Sequence, residues 1–409
     1  MESCVLKYKL YPHQRSGIKY ILDHKYLILS DSMGLGKSLQ VIEAIKRTNY
    51  RALIICPASL KLTWAREIGT FSDLVIGKDI VIKSYDSIKK MTPAEWSTFG
   101  FVAGDEIHYA KNPDAQRTQR LHELMEESPP RYFVGMTGTP IKGRVQEFWS
   151  LLMLCAYNPE QDNTPMDKWQ NYWDFSRHFS NHSSFVINDR VVNKFEGHRN
   201  VTELRELLEG NYLRRKASEV LDLPPIIRKD ILFNEDEIDR ALQTRLDSDA
   251  KAFATYKVNN ALVKVKPTIA YCKDLLEQGE GPILIFSDHV TPVWEIAKTL
   301  GKKYKVRFIT GEIPMSKREE SKELFQDGKL DALVCTIGSM CEGHTLTAAS
   351  NMVFNDLNYV PGTIAQVEKR IHRIGQTKTC IIHRMYWGKM DAFLAKTLDE
   401  KIKTLVEVL

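Results

Sequence analysis

A chain of 409 residues, 43% hydrophobic and 27% charged, is long enough for two or three domains and apolar enough to bury sizeable cores. No tract is polar enough to read as disorder, and no apolar run is long enough for a membrane span. The net charge of +5 permits a nucleic-acid partner without demanding one.

The N-terminus, Met1-Glu2-Ser3-Cys4-Val5-Leu6-Lys7, lacks the basic start and apolar stretch of a secretory signal. Seven cysteines are scattered with no C-x-x-C pair and no zinc-ligand spacing. They predict reduced thiols and an intracellular home: cytoplasm or nucleoid for a bacterial or phage protein, nucleus for a eukaryotic one.

Residues 1–155 alternate short apolar runs with helical patterns. Leu27-Ile28-Leu29 leads into a glycine-rich turn and a helix over Gln40–Arg47. Ala52–Cys56, stopped by Pro57, reads as a strand, as do Asp79–Ile82, Phe101–Gly104 and Tyr132–Met136. Short buried strands separated by helices predict a parallel sheet with helices on both faces. Residues 156–262 are richer in tryptophan, asparagine, histidine and charge, and read as a helical insertion and linker. Helical patterns over Val201–Leu213 and Asn234–Lys257 flank Leu223-Pro224-Pro225. Trp169, Tyr172, Trp173 and Phe175 read as that segment's own small core rather than a surface for stacking bases. From residue 263 to 409 the α/β rhythm returns, with strands expected at Ile283–Phe286, Val306–Ile309, Ala332–Cys335 and Asn351–Phe354.

Three elements carry the chemistry. Asp31-Ser32-Met33-Gly34-Leu35-Gly36-Lys37-Ser38 joins a strand to a helix and ends as a phosphate-binding loop does, although Asp31 stands where the strict pattern has glycine. Gly34 and Gly36 let backbone N–H groups wrap phosphates, Lys37 neutralises the β- and γ-phosphates, and the Ser38 hydroxyl can ligate Mg²⁺. Asp105-Glu106-Ile107-His108 ends an apolar strand, where open α/β sheets bind ligands. Asp105 would hold Mg²⁺ and Glu106 would position or deprotonate the attacking water. Thr137-Gly138-Thr139-Pro140 follows the next strand. The cofactors expected are therefore ATP and Mg²⁺.

The order of these elements resembles helicases of superfamily two, and more closely the Swi/Snf-type DNA translocases, over nearly the whole chain. Leu10-Tyr11-Pro12-His13-Gln14 resembles that family's opening motif, which implies that Gln14 reads the adenine. Met33-Gly34-Leu35-Gly36-Lys37 is similar to its nucleotide loop, and Pro57-Ala58-Ser59-Leu60 with Trp64 and Glu67 to its first DNA-contact motif. Ser84-Tyr85-Asp86 resembles the next motif, and Asp105-Glu106 with His108, Lys111 and Asn112 its acidic box. Gln366 through Gln376 resembles the last motif, whose two arginines, here Arg370 and Arg373, reach the γ-phosphate. Leu213-Arg214-Arg215-Lys216 with Val220-Leu221 and Leu223-Pro224 is similar to a segment typical of the Swi/Snf branch. The resemblance implies two RecA-like lobes, a nucleotide contact at Gly343, and coupling roles for His108, Thr137 and Gln366. Ser32, Ile141-Lys142-Gly143-Arg144, and His344-Thr345 depart from the family's usual residues.

A motor of this kind grips the sugar–phosphate backbone. The contacts expected are Ser59, Lys61, Lys83, Ser84 and Thr139 on the first lobe, and Ser287, Thr310, Gly311 and Thr336 on the second. Lys142, Arg144 and the run Arg214-Arg215-Lys216 are further candidates. The reading is a monomeric, ATP-dependent translocase on double-stranded or branched DNA, with hydrolysis coupled to lobe closure. A strand-separating DNA or RNA helicase is the alternative. A non-hydrolysing DNA scaffold conflicts with the complete set Lys37, Ser38, Asp105, Glu106, Arg370 and Arg373, and a P-loop kinase with the second α/β unit.

Overall fold

The computed structural model describes residues 9–138, 145–161, 164–187, 190–233, 251–340, 345–358, 361–387 and 391. Thr139, Lys142, Arg144, Gly343, His344 and residues 234–250 lie outside the described residues. The chain divides into two compact units, the first running to Val220 and the second from Leu221.

The first unit is built on a six-stranded sheet. Its strands are β1 (Tyr26–Leu29), β2 (Ala52–Cys56), β3 (Ile80–Ser84), β4 (Phe101–Asp105), β5 (Tyr132–Met136) and the short β8 (Tyr212–Leu213), in the order β3-β2-β4-β5-β1-β8. Every pairing is parallel. The side chains of β1 and β2 are buried throughout, as both faces of a parallel sheet are covered. Tyr26, Ile28, Leu53 and Ile55 enter one apolar layer. Leu27, Leu29, Ala52, Ile54 and Cys56 enter the other, the two-residue alternation of a strand. Helices α1 (Pro12–His24), α2 (Lys37–Thr48) and α3 (Lys61–Phe71) belong to this unit.

The second unit repeats the plan. Strands β9 (Ile226–Phe233), β10 (Ile283–Ser287), β11 (Val306–Ile309), β12 (Ala332–Thr336), β13 (Asn351–Phe354) and β14 (Cys380–Trp387) form a parallel sheet in the order β11-β12-β10-β13-β14-β9. Two apolar layers again cover its faces. The four strands expected in this half are all present, and β9 and β14 extend the sheet beyond them. Two parallel sheets clad with helices are the architecture of two RecA-like lobes.

The interval 156–262 departs from the expected helical body. Its described residues are shared between the units, with β8 closing the edge of the first sheet and β9 the edge of the second. Between them lies an antiparallel hairpin, β6 (Asn181–Ile187) with β7 (Arg190–Glu196). The helical pattern read over Val201–Leu213 ends at Leu208, and Tyr212–Leu213 pairs with β1 instead. Local periodicity could not show this, because the pairing is made by a strand nearly two hundred residues away. The aromatic residues do form a small core: Phe175 and Phe179 are fully buried with Phe148, Met166 and Leu204. The Trp169 ring meets Phe175 edge-on at 6.0 Å. Trp173 lies at the margin of this core, half exposed against Phe195.

Candidate functional site

In the first sheet the strand entering the glycine-rich loop, β1, and the strand ending in the acidic pair, β4, are separated only by β5. All three are parallel, so the loop, the acids and Thr137 emerge at the same carboxyl edge. Gly34 and Gly36 have φ of +85° and +77°, which L side chains adopt at a cost, and Gly36 caps the N-terminus of α2. A Cβ at Gly36 would also stand 2.5 Å from Gln14 Nε2. Backbone amides at this helix start are placed to receive an anion. The Lys37 ammonium donates to the Asp31 carbonyl at 2.7 Å, which holds it over the loop.

Gln14, on α1, is almost fully buried against the loop. Its Nε2 donates to the Leu35 carbonyl at 3.3 Å, and its Oε1 accepts from the Tyr11 amide at 3.0 Å. His13 contacts the same Leu35 carbonyl at 3.1 Å. The opening motif and the phosphate loop thus form one structure.

Asp105 Oδ2 accepts from the Trp64 indole at 2.8 Å, and Tyr85 Oη donates to the Asp105 carbonyl, also at 2.8 Å. Burial, and then the Glu106 charge, push the Asp105 carboxyl up to about 7, against the opposing pull of the Trp64 hydrogen bond and Lys37. A cation close to this buried carboxylate would favour its charged form. Sequence reading had placed Trp64 in a DNA-contact motif; in the structure its indole N–H fixes the acid.

Glu106 has φ +50° and ψ +49°, a left-handed conformation uncommon for a non-glycine residue and typical of functional positions. This turns its carboxylate to within 3.1 Å of His108 Nδ1, which also lies 3.1 Å from Thr137 Oγ1. His108 and Thr137 are buried, so acid, imidazole and hydroxyl form a connected row from β4 to β5.

In the second unit Gln366 is buried on the helix Pro361–Glu368, and Arg370 and Arg373 follow it. Arg370 is only 5% exposed, whereas Arg373 is half-buried. The segment is fastened to the Leu223–Pro225 stretch and β9. His372 Nε2 is 2.8 Å from the Pro224 carbonyl, and Arg228 makes a paired ion contact with Glu368 at 2.5 and 3.0 Å. Gln376 donates to the Ala349 carbonyl at 2.8 Å and accepts from the amides of Thr377 and Lys378. Its role is to hold the turn.

The expected DNA contacts divide. Ser59 and Lys61, after β2, are partly exposed. Lys83 is paired with Glu95 at 2.7 Å, and the Ser84 hydroxyl caps a short helix by accepting from the Ser87 amide. Ser287 and Thr310 are completely buried and Thr336 is 8% exposed. Ser287 is further spent on Asp356 Oδ1 at 2.5 Å. These three residues are buried at strand ends, while Gly311 is exposed. Arg215, read as part of a basic run for DNA, turns inward onto Asp31.

The SNF2-related domain matches residues 13–76 and 71–260. The chain belongs to the SNF2-related family. The helicase conserved C-terminal domain matches residues 267–375. The chain is 29% identical to the Xenopus tropicalis SWI/SNF-related matrix-associated actin-dependent regulator of chromatin subfamily A-like protein 1, over 97% of this chain and 44% of that protein. It is 26% identical to the Homo sapiens DNA annealing helicase and endonuclease ZRANB3, over 97% of this chain and 40% of that protein. This SNF2-related chain therefore spans less than half the length of either relative. Among solved structures, the Sulfolobus solfataricus SWI2/SNF2 ATPase core in complex with dsDNA aligns over 100% of this chain and 94% of that one, at 20% identity and a TM-score of 0.43.

Proposed function

We propose that this SNF2-related chain is an ATP-driven translocase on double-stranded or branched DNA, serving remodelling, annealing, fork reversal or branch migration. The observation that carries the reading is the continuous row Glu106–His108–Thr137 set beside the phosphate loop in one sheet. Family membership and the similarity to the DNA annealing helicase and endonuclease ZRANB3 support DNA as the track.

In this reading Lys37 leaves the Asp31 carbonyl for the β- and γ-phosphates. Ser38 and Asp105 would hold Mg²⁺, which would neutralise charge on the phosphate oxygens. Glu106 orients or deprotonates the attacking water, and its contact with His108 passes the state of the site to Thr137. Arg370 and Arg373 steady charge on the transferred phosphoryl group. Hydrolysis then requires the two units to act together, and their closing and reopening supply the stroke.

The DNA track in this reading runs past Ser59 and Lys61, which are partly exposed, and Gly311, which is exposed. Binding of fluorescent duplex DNA should weaken linearly in log Kd against log salt, with a slope of about 0.9 per phosphate neutralised. Lys61→Ala should reduce that slope by roughly one without altering sequence preference. A slope indifferent to salt would remove the backbone-gripping reading.

A further inference from the structure

The loop's departure from the strict phosphate-loop pattern, Asp31 in place of glycine, has a partner far along the chain. Asp31 is fully buried, and the Arg215 guanidinium grips both its carboxylate oxygens, Nε to Oδ1 at 2.9 Å and Nη2 to Oδ2 at 2.5 Å. The same guanidinium donates to Gln40 Oε1 at 2.9 Å on α2, to Ser16 Oγ at 2.8 Å, and to the His13 carbonyl on α1. Gln40 closes the ring by donating to Asp31 Oδ2 at 3.1 Å.

The backbone does the same. The parallel ladder of β8 on β1 runs past the end of the strand. The Ile28 amide donates to Asn211, that of Ser30 to Leu213, and that of Ser32, inside the loop, to the Arg215 carbonyl at 2.9 Å. Gly17 on α1 makes the room: a Cβ there would sit 1.9 Å from Gln40 Oε1 and 2.6 Å from Arg215 Nη2. Arg215 thus ties together the helix bearing Gln14, the start of the phosphate loop and the helix that follows it.

We propose that Arg215 is a positioning residue for nucleotide binding. It fixes Asp31, whose carbonyl holds the Lys37 ammonium, and so presets the loop in the shape that receives the phosphates. The proposal rests on the nucleotide-hydrolysing reading above. A planar guanidinium meets a carboxylate on two parallel bonds and still has donors for Gln40, Ser16 and His13. Lysine cannot reproduce that fork.

The test uses the full chain with Arg215→Lys, Arg215→Ala, Asp31→Asn and Gly17→Ala. The readouts are kcat and KM for ATP, and the rise in Tm on adding ADP with Mg²⁺. Misplacing the loop should raise KM roughly tenfold in Arg215→Lys and Asp31→Asn, and more in Arg215→Ala, with kcat held within about threefold. Gly17→Ala should do the same with Arg215 and Asp31 both intact. If Arg215→Ala does not fold, the Arg215→Lys and Asp31→Asn variants decide. Variants with a lower ligand-free Tm but an unchanged KM and ADP shift would show an ordinary structural ion pair and overturn the proposal. A wild-type chain that neither binds ADP nor hydrolyses ATP would overturn the nucleotide reading, and the clamp with it. A wild type that binds, alongside variants that bind equally well, would overturn the clamp alone.

Discussion

Arg373→Ala is expected to lower ATP hydrolysis by about 10³–10⁵-fold while leaving nucleotide affinity within about threefold. The phosphoryl group in transit spreads charge over its oxygens, and an inserted guanidinium acts on that charge more than on the bound ground state. Arg373 suits this better than Arg370. It is half-buried, whereas Arg370 is 5% exposed and lies near enough to Lys322 to help lower that ammonium's pKa, after the larger effect of burial. The backbone around Arg373 is held by His372 on the Pro224 carbonyl and by Gln376 on the Ala349 carbonyl. Alanine should therefore remove the charge without unfolding the turn. Steady-state hydrolysis and fluorescent-nucleotide binding on one preparation check this. Normal turnover by Arg373→Ala would remove Arg373 from the hydrolytic machinery.

Glu106→Gln should slow hydrolysis by about 10²–10⁴-fold and preserve binding of both nucleotide and DNA. Glutamine has nearly the same shape and can sit at the same distance from His108, so the His108–Thr137 contact survives while the base is lost. The left-handed backbone at Glu106 belongs to both residues alike, so the substitution adds no new strain there. Single-turnover hydrolysis with DNA binding measured in parallel separates the two effects. A rate within about threefold of wild type would remove Glu106 from the role of base or water-orienter.

The inner strands of both sheets were legible in the sequence because they are short, largely apolar and flanked by helical patterns, as at Ala52–Cys56 and Ile283–Ser287. The candidate nucleotide-site residues stand out in the sequence because they sit in three short motifs at strand ends. The interval 156–262 was not, since β8 and β9 are recruited to sheet edges by partners distant in sequence. Arg215 was misread for a related reason. A run of three basic residues looks solvated until Asp31, 184 positions away, is placed beside it. Ser287, Thr310 and Thr336 show the converse: a hydroxyl at a strand end looks available, but packing decides whether it reaches the surface. Glu106, His108 and Thr137 could be paired only through the adjacency of β4 and β5, although their order along the chain had hinted at it.

The most direct measurement is the ATP hydrolysis rate at one fixed salt concentration with no nucleic acid, single-stranded DNA, duplex DNA, a four-way junction or duplex RNA. The translocase account predicts several-fold stimulation by duplex or branched DNA, with little from single strands or RNA. Stimulation confined to single strands or RNA, or hydrolysis indifferent to every polymer, would contradict it.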